Sequence, residues 1–147
     1  MNERDSDMGD LVLAAIRQRV ETERFAKKMG LRLLELAPGR AVVEMTPQED
    51  NTNIFDMTHG GAIFSLIDEA FQVSCNTHGT VAVALNMAIT YHRAPERNRT
   101  LQAESVEVHL TKKTGTYDIK VRDEQDNLIA SCMAVAFRKT DKLPFLE

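Results

Sequence analysis

Apolar and polar residues follow two different periods along this chain, one helical and one extended. Residues 60–77 are apolar at most positions and contain no proline, which predicts a long helix buried over most of its surface. Residues 81–92 instead alternate with a period of two, which is typical of a strand. One face of that strand carries its larger side chains, namely Val83, Leu85, Met87, Ile89 and Tyr91.

Shorter patterns predict the other elements. Residues 7–29 carry a partial apolar stripe, which predicts a single helix ending at Gly30. A slip in the alternation indicates a bulge near Glu104–Ser105. The last strand is apolar at nearly every residue, so we expect both of its faces to be buried. Strands are predicted at 31–37, 40–46, 101–111, 116–123 and 128–138, separated by short turns and by a polar loop at 47–58.

This order of elements favours the α+β class, with one antiparallel sheet wrapped around the long helix. A chain of 147 residues is long enough for one such core and too short for two ordinary domains. We therefore divide it into an N-terminal helical extension (1–30), a main domain (31–140) and a tail (141–147).

Composition excludes several classes of function. The net charge of -4 argues against a general nucleic-acid-binding protein, because such proteins carry an excess of Lys and Arg. No apolar run is long enough for a membrane span, and the N-terminus lacks the pattern of a secretion signal. Cys75 and Cys132 are too few for a disulfide scaffold and are expected to be buried thiols. We expect a cytoplasmic protein with no nucleic-acid or membrane partner.

The long helix carries two adjacent carboxylates with different expected surroundings. On a helical wheel Glu69 falls well inside the polar arc, so we expect it to be solvated. Asp68 falls at the edge of that arc. It is either an ordinary boundary residue in water or a half-buried carboxylate that desolvation keeps basic.

A short polar motif precedes the helix directly. His59-Gly60-Gly61 brings glycines to the point where a helix has unpaired N–H groups and a positive dipole end. Such a place can polarise a carbonyl and hold the oxyanion formed on attack. Alone, the two glycines need only indicate a tight turn. With Asn53 upstream and Asp68 downstream, they indicate chemistry on an activated carbonyl.

These motifs resemble those of the hotdog-fold acyl-CoA thioesterases, in particular the phenylacetate-pathway (PaaI-like) branch. The resemblance spans roughly residues 30–138. It is carried by His59-Gly60-Gly61, Ile63-Phe64-Ser65-Leu66, Asp68, Ala70-Phe71, Ile89-Thr90-Tyr91, Arg93-Ala94-Pro95 and Thr114-Gly115-Thr116-Tyr117-Asp118.

The resemblance implies a hotdog fold whose protomers pair so that their sheets join, with pairs associating into tetramers. Active sites would lie at the dimer interface. Asp68 would be the catalytic general base or nucleophile, and the Gly60 N–H of the partner chain would polarise the thioester carbonyl. Asn53 and His59 would position the water and the carbonyl. Some relatives carry a hydroxyl side chain close to the catalytic carboxylate, on the strand after the helix. This chain has Val83-Ala84-Leu85 there, so the role of that hydroxyl does not carry over.

The expected substrate is a small, medium-chain or aromatic acyl-CoA, with no cofactor, and none of the histidines has metal-ligand spacing. Coenzyme A is polyanionic, so basic clusters are candidate binding sites, although each residue can equally be a solvated surface charge. Phe55, Met57, Phe64 and Phe71 can line an acyl tunnel or belong to the core. The full set of candidate substrate-binding residues is Gly61, Phe64, Phe71, Arg93, Arg97, Arg99, Arg138 and Lys139.

Two other functions remain open at this point. An enoyl-thioester hydratase or dehydratase of the same fold would use a catalytic histidine, for which His59 is the candidate. A non-catalytic acyl-CoA-binding protein would bind the same ligand without releasing a thiol. The sequence also leaves open whether the N-terminal helix caps the site or supports the oligomer.

Overall fold

A computed structural model describes residues 3–146 of the chain. It contains three α-helices, six strands and one short 3-10 turn at Glu49–Asn51. The helices are α1 (Glu3–Val20), α2 (Arg24–Met29) and α3 (Gly60–Cys75). The strands are β1 (Arg32–Ala37), β2 (Arg40–Met45), β3 (Thr80–Tyr91), β4 (Leu101–Leu110), β5 (Thr114–Asp123) and β6 (Leu128–Lys142).

The strands form one antiparallel sheet in the order β1-β2-β4-β5-β6-β3, so β1 and β3 are its edges. Helix α3 lies across the inner face of this sheet and packs most extensively on β4 and β2. Leu66, Ile67 and Phe71 of α3 are almost fully buried, and the Phe71 ring meets Tyr117 edge-on with ring centroids 5.5 Å apart. The predicted α+β hotdog architecture is confirmed.

The prediction of one N-terminal helix is wrong, because the segment forms two helices. The chain turns after Val20, where the Thr22 hydroxyl donates back to the Arg19 carbonyl at 2.9 Å. A threonine that satisfies the backbone in this way competes with helix continuation. The predicted end at Gly30 is confirmed, since Gly30 adopts a left-handed conformation with φ of 67°.

Strand β3 does not keep one alternation along its length. Its register with β6 shifts between Ala84 and Asn86, and this bulge reverses which of the alternating side chains point toward the core. Ala82 is buried before the bulge, whereas Met87 and Ile89 pack against the core after it. The predicted single apolar face is therefore wrong, and the bulge explains why.

Two further expectations about the sheet are wrong. The bulge in β4 lies between Glu107 and His109, and not near Glu104–Ser105. The side chain of Ser105 keeps the alternation of the strand, since it is buried and its hydroxyl lies 2.7 Å from the Ser74 hydroxyl. Strand β6 is buried on one face only. Met133 and Phe137 on the other face are 49% and 41% exposed, since no layer formed by residues 3–146 covers the outer surface of the sheet.

The N-terminal helix and the C-terminal segment pack together in a second apolar cluster. Val12 and Ile16 of α1 meet Val73 of α3 and Leu143, which directly follows β6. Strand β6 thus extends beyond the predicted boundary at 138 and continues into this cluster.

Both cysteines are buried free thiols, as expected. Burial raises the pKa of the Cys75 thiol to about 12 and that of Cys132 to about 11. Within the described range, no group of three or more His, Cys, Asp and Glu side chains is placed to hold a metal ion. None of the described helices is long and apolar enough to cross a membrane.

Candidate active site

His59 caps the N-terminus of α3. Its Nδ1 accepts a hydrogen bond from the Gly61 N–H at 2.7 Å. An acceptor at Nδ1 leaves the proton of the neutral ring on Nε2, which is a donor. Gly61 cannot carry a side chain without moving this ring, because a Cβ there lies 3.0 Å from Nδ1.

Gly60 presents a backbone donor at the same helix start. Among residues 3–146, its N–H has no hydrogen-bond partner. Its carbonyl is held in place by the Tyr91 hydroxyl, which donates to it at 3.1 Å. The Gly60 N–H therefore lies at the positive end of the helix dipole, where it can stabilise an oxyanion.

Asn53 organises the loop before the helix. Its Oδ1 accepts from the Phe55 N–H at 2.9 Å and from the Met57 N–H at 3.1 Å, and its own N–H donates to the Met57 carbonyl at 2.8 Å. These bonds form a compact turn. The Oδ1 of Asn53 is fully used by this turn, which leaves Nδ2 as the group that can meet a ligand.

Asp68 lies at the surface of the single chain, on the side of α3 that faces the turn between α1 and α2. Partial burial raises the pKa of its carboxyl above the usual value, and the negative charge of Glu23 raises it further. Both effects disfavour the ionised form and so make the carboxylate a stronger base. Asp68 is exposed in the single chain, as the first interpretation from sequence expects, while its raised pKa is the effect that the second interpretation describes.

The expectation that Glu69 is solvated is wrong, because its side chain is only 4% exposed. Burial raises its pKa to about 8, with a hydrogen bond to Glu23 and that residue's charge as further causes. Its Oε1 has no hydrogen-bond partner in the described part of the chain. The helical wheel assigned this arc to water, but the turn between α1 and α2 covers it.

The candidate cationic residues lie in two separate places, the loop after β3 and the end of β6. Arg93 donates to Asn127 at 2.8 Å, and Arg97 donates to the Asp56 carbonyl at 3.0 Å beside the Asn53 turn. Arg99 pairs with Glu96 at 3.3 Å.

Arg138 and Lys139 lie in β6, away from the loop that carries these three arginines. Arg138 donates to the Thr111 carbonyl, and Lys139 is exposed.

The candidate acyl-contacting residues fall into two groups. Phe71 is a core residue at 1% exposure, which favours the structural role that the sequence left open. Phe64, Phe55 and Met57 are 37%, 71% and 43% exposed, so they form an apolar surface around the helix start.

A single chain does not bring Gly60 and Asp68 together. They lie on the same helix, and a rise of 1.5 Å per residue separates them by about 12 Å along its axis. One substrate carbonyl cannot contact both groups across that distance. The sequence assigned no site role to Glu23, Gln72 or Tyr91, because their roles depend on contacts between distant segments.

The sequence of this chain is similar to those of known proteins. Residues 55–130 match the model of the thioesterase superfamily. The acyl-coenzyme A thioesterase PaaI of Escherichia coli K12 is 36% identical over 110 residues, which cover 75% of this chain and 79% of that protein.

Solved structures give the same family. The E. coli PaaI structure superposes with a TM-score of 0.86 at 30% identity, covering 91% of this chain and 97% of that one. The phenylacetic acid degradation protein PaaI of Thermus thermophilus, in a mutant form, superposes with a TM-score of 0.77 at 36% identity, covering 80% of this chain and 100% of that one. In sequence and architecture, the chain belongs to the thioesterase superfamily.

Proposed function

We propose that this protein hydrolyses acyl-CoA to a free acid and coenzyme A, with Asp68 as the essential carboxylate. One observation carries the proposal: helix α3 holds both a carboxylate and an available backbone donor. The Asp68 carboxylate is partly desolvated and therefore more basic, and the Gly60 N–H has no hydrogen-bond acceptor among residues 3–146. A thioester carbonyl is already electrophilic, so a base or nucleophile and an oxyanion donor are sufficient for its hydrolysis. The PaaI relatives support acyl-CoA as the substrate class.

The ionised Asp68 either removes a proton from an attacking water or attacks the carbonyl itself. In both routes the carbonyl oxygen gains negative charge and accepts from the Gly60 N–H. The carbon–sulfur bond then breaks and the CoA thiolate leaves. In the general-base route the free acid is formed directly, and Asp68 gives up the proton it took from water. In the nucleophilic route water hydrolyses the acyl-Asp68 anhydride, which releases the free acid and restores the carboxylate. Asn53 Nδ2 and His59 Nε2 are further donors near the helix start, and we assign them to the water and the carbonyl oxygen.

The active site is assigned to a pair of chains. Because about 12 Å of helix separates Gly60 from Asp68, the two groups act on one carbonyl only when an antiparallel second copy brings its Gly60 to this Asp68. The exposed edge strand β3, with Leu85 63% exposed, offers a surface for that pairing. The exposed outer face of the sheet, with Met133 and Phe137, suits association of pairs into a tetramer.

The nucleotide end of coenzyme A is assigned to the loop after β3. Arg93 and Arg97 both donate to neutral oxygens there, and neither forms an ion pair with a carboxylate among residues 3–146. Arg97 also contacts the loop that leads into His59, which places this charge near the helix start. Arg99, Arg138 and Lys139 are secondary candidates. A cytoplasmic location and a reaction without a cofactor remain predictions.

Free-thiol release from short, medium, long and aromatic acyl-CoAs tests the proposal, with wild type and Asp68→Asn compared side by side. We expect turnover in the wild type and a loss of about 10²-fold or more in the variant, since the amide cannot accept a proton. Circular dichroism and thermal unfolding establish that the variant is folded.

Near-normal turnover in Asp68→Asn contradicts the assignment of Asp68. Absence of thiol release from every acyl-CoA contradicts the proposed reaction. Incubation with a trans-2-enoyl-CoA then separates a hydratase, which consumes it, from a protein that only binds it.

A further inference from the structure

A cavity of about 800 Å³ lies at the opposite end of α3 from His59 and Gly60. The end of α1, the α1–α2 turn, the second half of α3, the start of β3 and the segment after β6 all contribute to its wall. Its size falls within the range of pockets that hold small molecules. Neither the sequence motifs nor the proposed chemistry accounts for it.

The wall of the cavity is mainly apolar. Val20, Val81 and Phe145 line it, and all three are partly exposed side chains that pack on the cluster of Val12, Ile16, Val73 and Leu143. Apolar surface left open in this way gains free energy when an apolar ligand covers it. Gln72 is the lining residue nearest the middle of α3. The polar part of the lining consists of Arg19, Thr22, Glu23, Arg24, Gln72 and Asn76.

That polar side adjoins Asp68. Gln72 lines the cavity and lies one helical turn after Asp68, a rise of about 6 Å. Its Nε2 donates to the Glu23 carboxylate at 3.2 Å, and Glu23 lines the cavity too. Asp68 itself does not line the cavity, but Gln72 and its bonded partner Glu23 do, so the cavity begins about one helical turn from the Asp68 carboxylate.

The two ends of the site differ in how much apolar surface they offer. Tyr91 bonds Gly60, so the loop with Arg93 and Arg97 lies at the N-terminal end of α3, whereas Val73 and Gln72 place the cavity toward the C-terminal end. A carbonyl held at Asp68 by the Gly60 of a second copy has that copy's arginine loop on one side and this cavity on the other. The cavity also carries Arg19, Glu23 and Arg24, so what distinguishes it is the continuous apolar wall beneath them, which fits a hydrocarbon. Within residues 3–146, the loop with Arg93 and Arg97 lacks such a wall and fits the polyanionic nucleotide.

We propose that this cavity binds a medium-chain acyl group of the substrate, so that the N-terminal extension and the segment after β6 determine acyl-chain specificity. The proposal rests on the proposed function and names its acyl subsite. From Gln72 the lining extends about one further turn of α3, which suits a chain such as octanoyl and leaves acetyl without apolar contact.

Two variants that fill the cavity test this assignment, namely Val20→Phe and Val81→Phe. The matched control is Ala14→Phe, which adds the same ring at an exposed position of α1 outside the cavity. Thiol release is measured with acetyl-CoA and octanoyl-CoA. We expect kcat/KM for octanoyl-CoA to fall about tenfold or more in both cavity variants, while the acetyl-CoA value stays within about twofold. Ala14→Phe should match wild type for both substrates.

Binding supplies a measurement independent of turnover. In an Asp68→Asn background, calorimetry with octanoyl-CoA and with free CoA gives the contribution of the acyl chain to affinity. We expect octanoyl-CoA to bind more tightly than CoA, and Val20→Phe to remove most of that difference. If wild type hydrolyses no acyl-CoA, the same titration tests the pocket while the proposed reaction alone is rejected.

An unchanged ratio of octanoyl to acetyl turnover in folded Val20→Phe and Val81→Phe overturns the assignment. An octanoyl advantage in binding that survives Val20→Phe overturns it as well. Either result places the acyl group elsewhere, for example against the exposed Phe55 and Phe64 surface.

Discussion

At the scale of single residues, the negative charge of Glu23 helps to set the pKa of Asp68. Partial burial and Glu23 both raise the Asp68 pKa, so replacing Glu23 by Gln removes one cause and lowers that pKa. We expect the acid limb of the kcat profile to move to lower pH in Glu23→Gln. Glu21→Gln, an exposed neighbour in the same turn, is the control and should superpose on wild type. An unmoved acid limb in Glu23→Gln contradicts this coupling.

Glu69, in the same region, makes the stability of the fold depend on pH. Its pKa is raised from the ordinary 4.5 to about 8 in the folded state, mainly by burial, so the folded protein binds its proton more tightly than the unfolded chain does. This contribution to stability is complete below the unfolded pKa and disappears as pH rises through the folded pKa of about 8. We expect the urea midpoint of wild type to fall as pH rises across this window.

Glu69→Gln imitates the protonated acid and cannot ionise, so its unfolding midpoint should fall much less over that range. Urea unfolding at each pH measures both proteins, with Glu21→Gln as the exposed control. A parallel decline in wild type and Glu69→Gln shows that the buried carboxyl is not the cause.

These two neighbours show where residue-level prediction from sequence succeeds and fails. The position of Asp68 at the border of the apolar and polar arcs left two interpretations open, an ordinary boundary residue and a carboxylate perturbed by burial, and the motif before the helix drew attention to it. Glu69 was misplaced because a helical wheel describes one helix and contains no information about what covers it. The covering segment, with Glu23, lies far away in the sequence.

At the scale of elements, the start of α3 depends on His59 as its cap. His59→Ala removes the acceptor for the Gly61 N–H and should lower the free energy of unfolding by about 1 kcal/mol. His59→Asn restores an acceptor and should recover most of that loss. Chemical denaturation measures the stability, and thiol release is assayed on both variants.

The comparison of the two His59 variants separates capping from catalysis. If Nε2 also contacts substrate, His59→Asn recovers stability but not kcat. Recovery of both restricts His59 to the cap, and failure of Asn to recover stability contradicts the capping role.

Element boundaries were predicted well where the signal is local, and poorly where it is not. Gly30 and Pro38-Gly39 are turn residues, so the ends they mark agree with the structure. The break at Thr22 has no glycine or proline. The bulge after Ala84 lies inside an alternation that looks continuous, because alanine fits either face of a sheet.

At the scale of the whole molecule, the proposed site needs two chains joined along β3. Leu85→Lys places a charge on the exposed edge near the middle of that strand. We expect this variant to become monomeric by light scattering and to lose turnover while keeping its fold. Val108→Lys, on a strand away from this edge, is the control and should keep both the pair and its activity. A fully active monomer contradicts a shared site.

The two cysteines have a practical consequence for studying this enzyme. Both thiols are inside the core, and burial raises the pKa of each far above neutrality, so very little thiolate exists in the native protein. A disulfide reagent that detects released coenzyme A therefore meets no competing thiol on the folded chain. Colour that forms before acyl-CoA is added therefore comes from thiols exposed by unfolding. Measuring it shows whether each variant above is folded under the conditions of the assay.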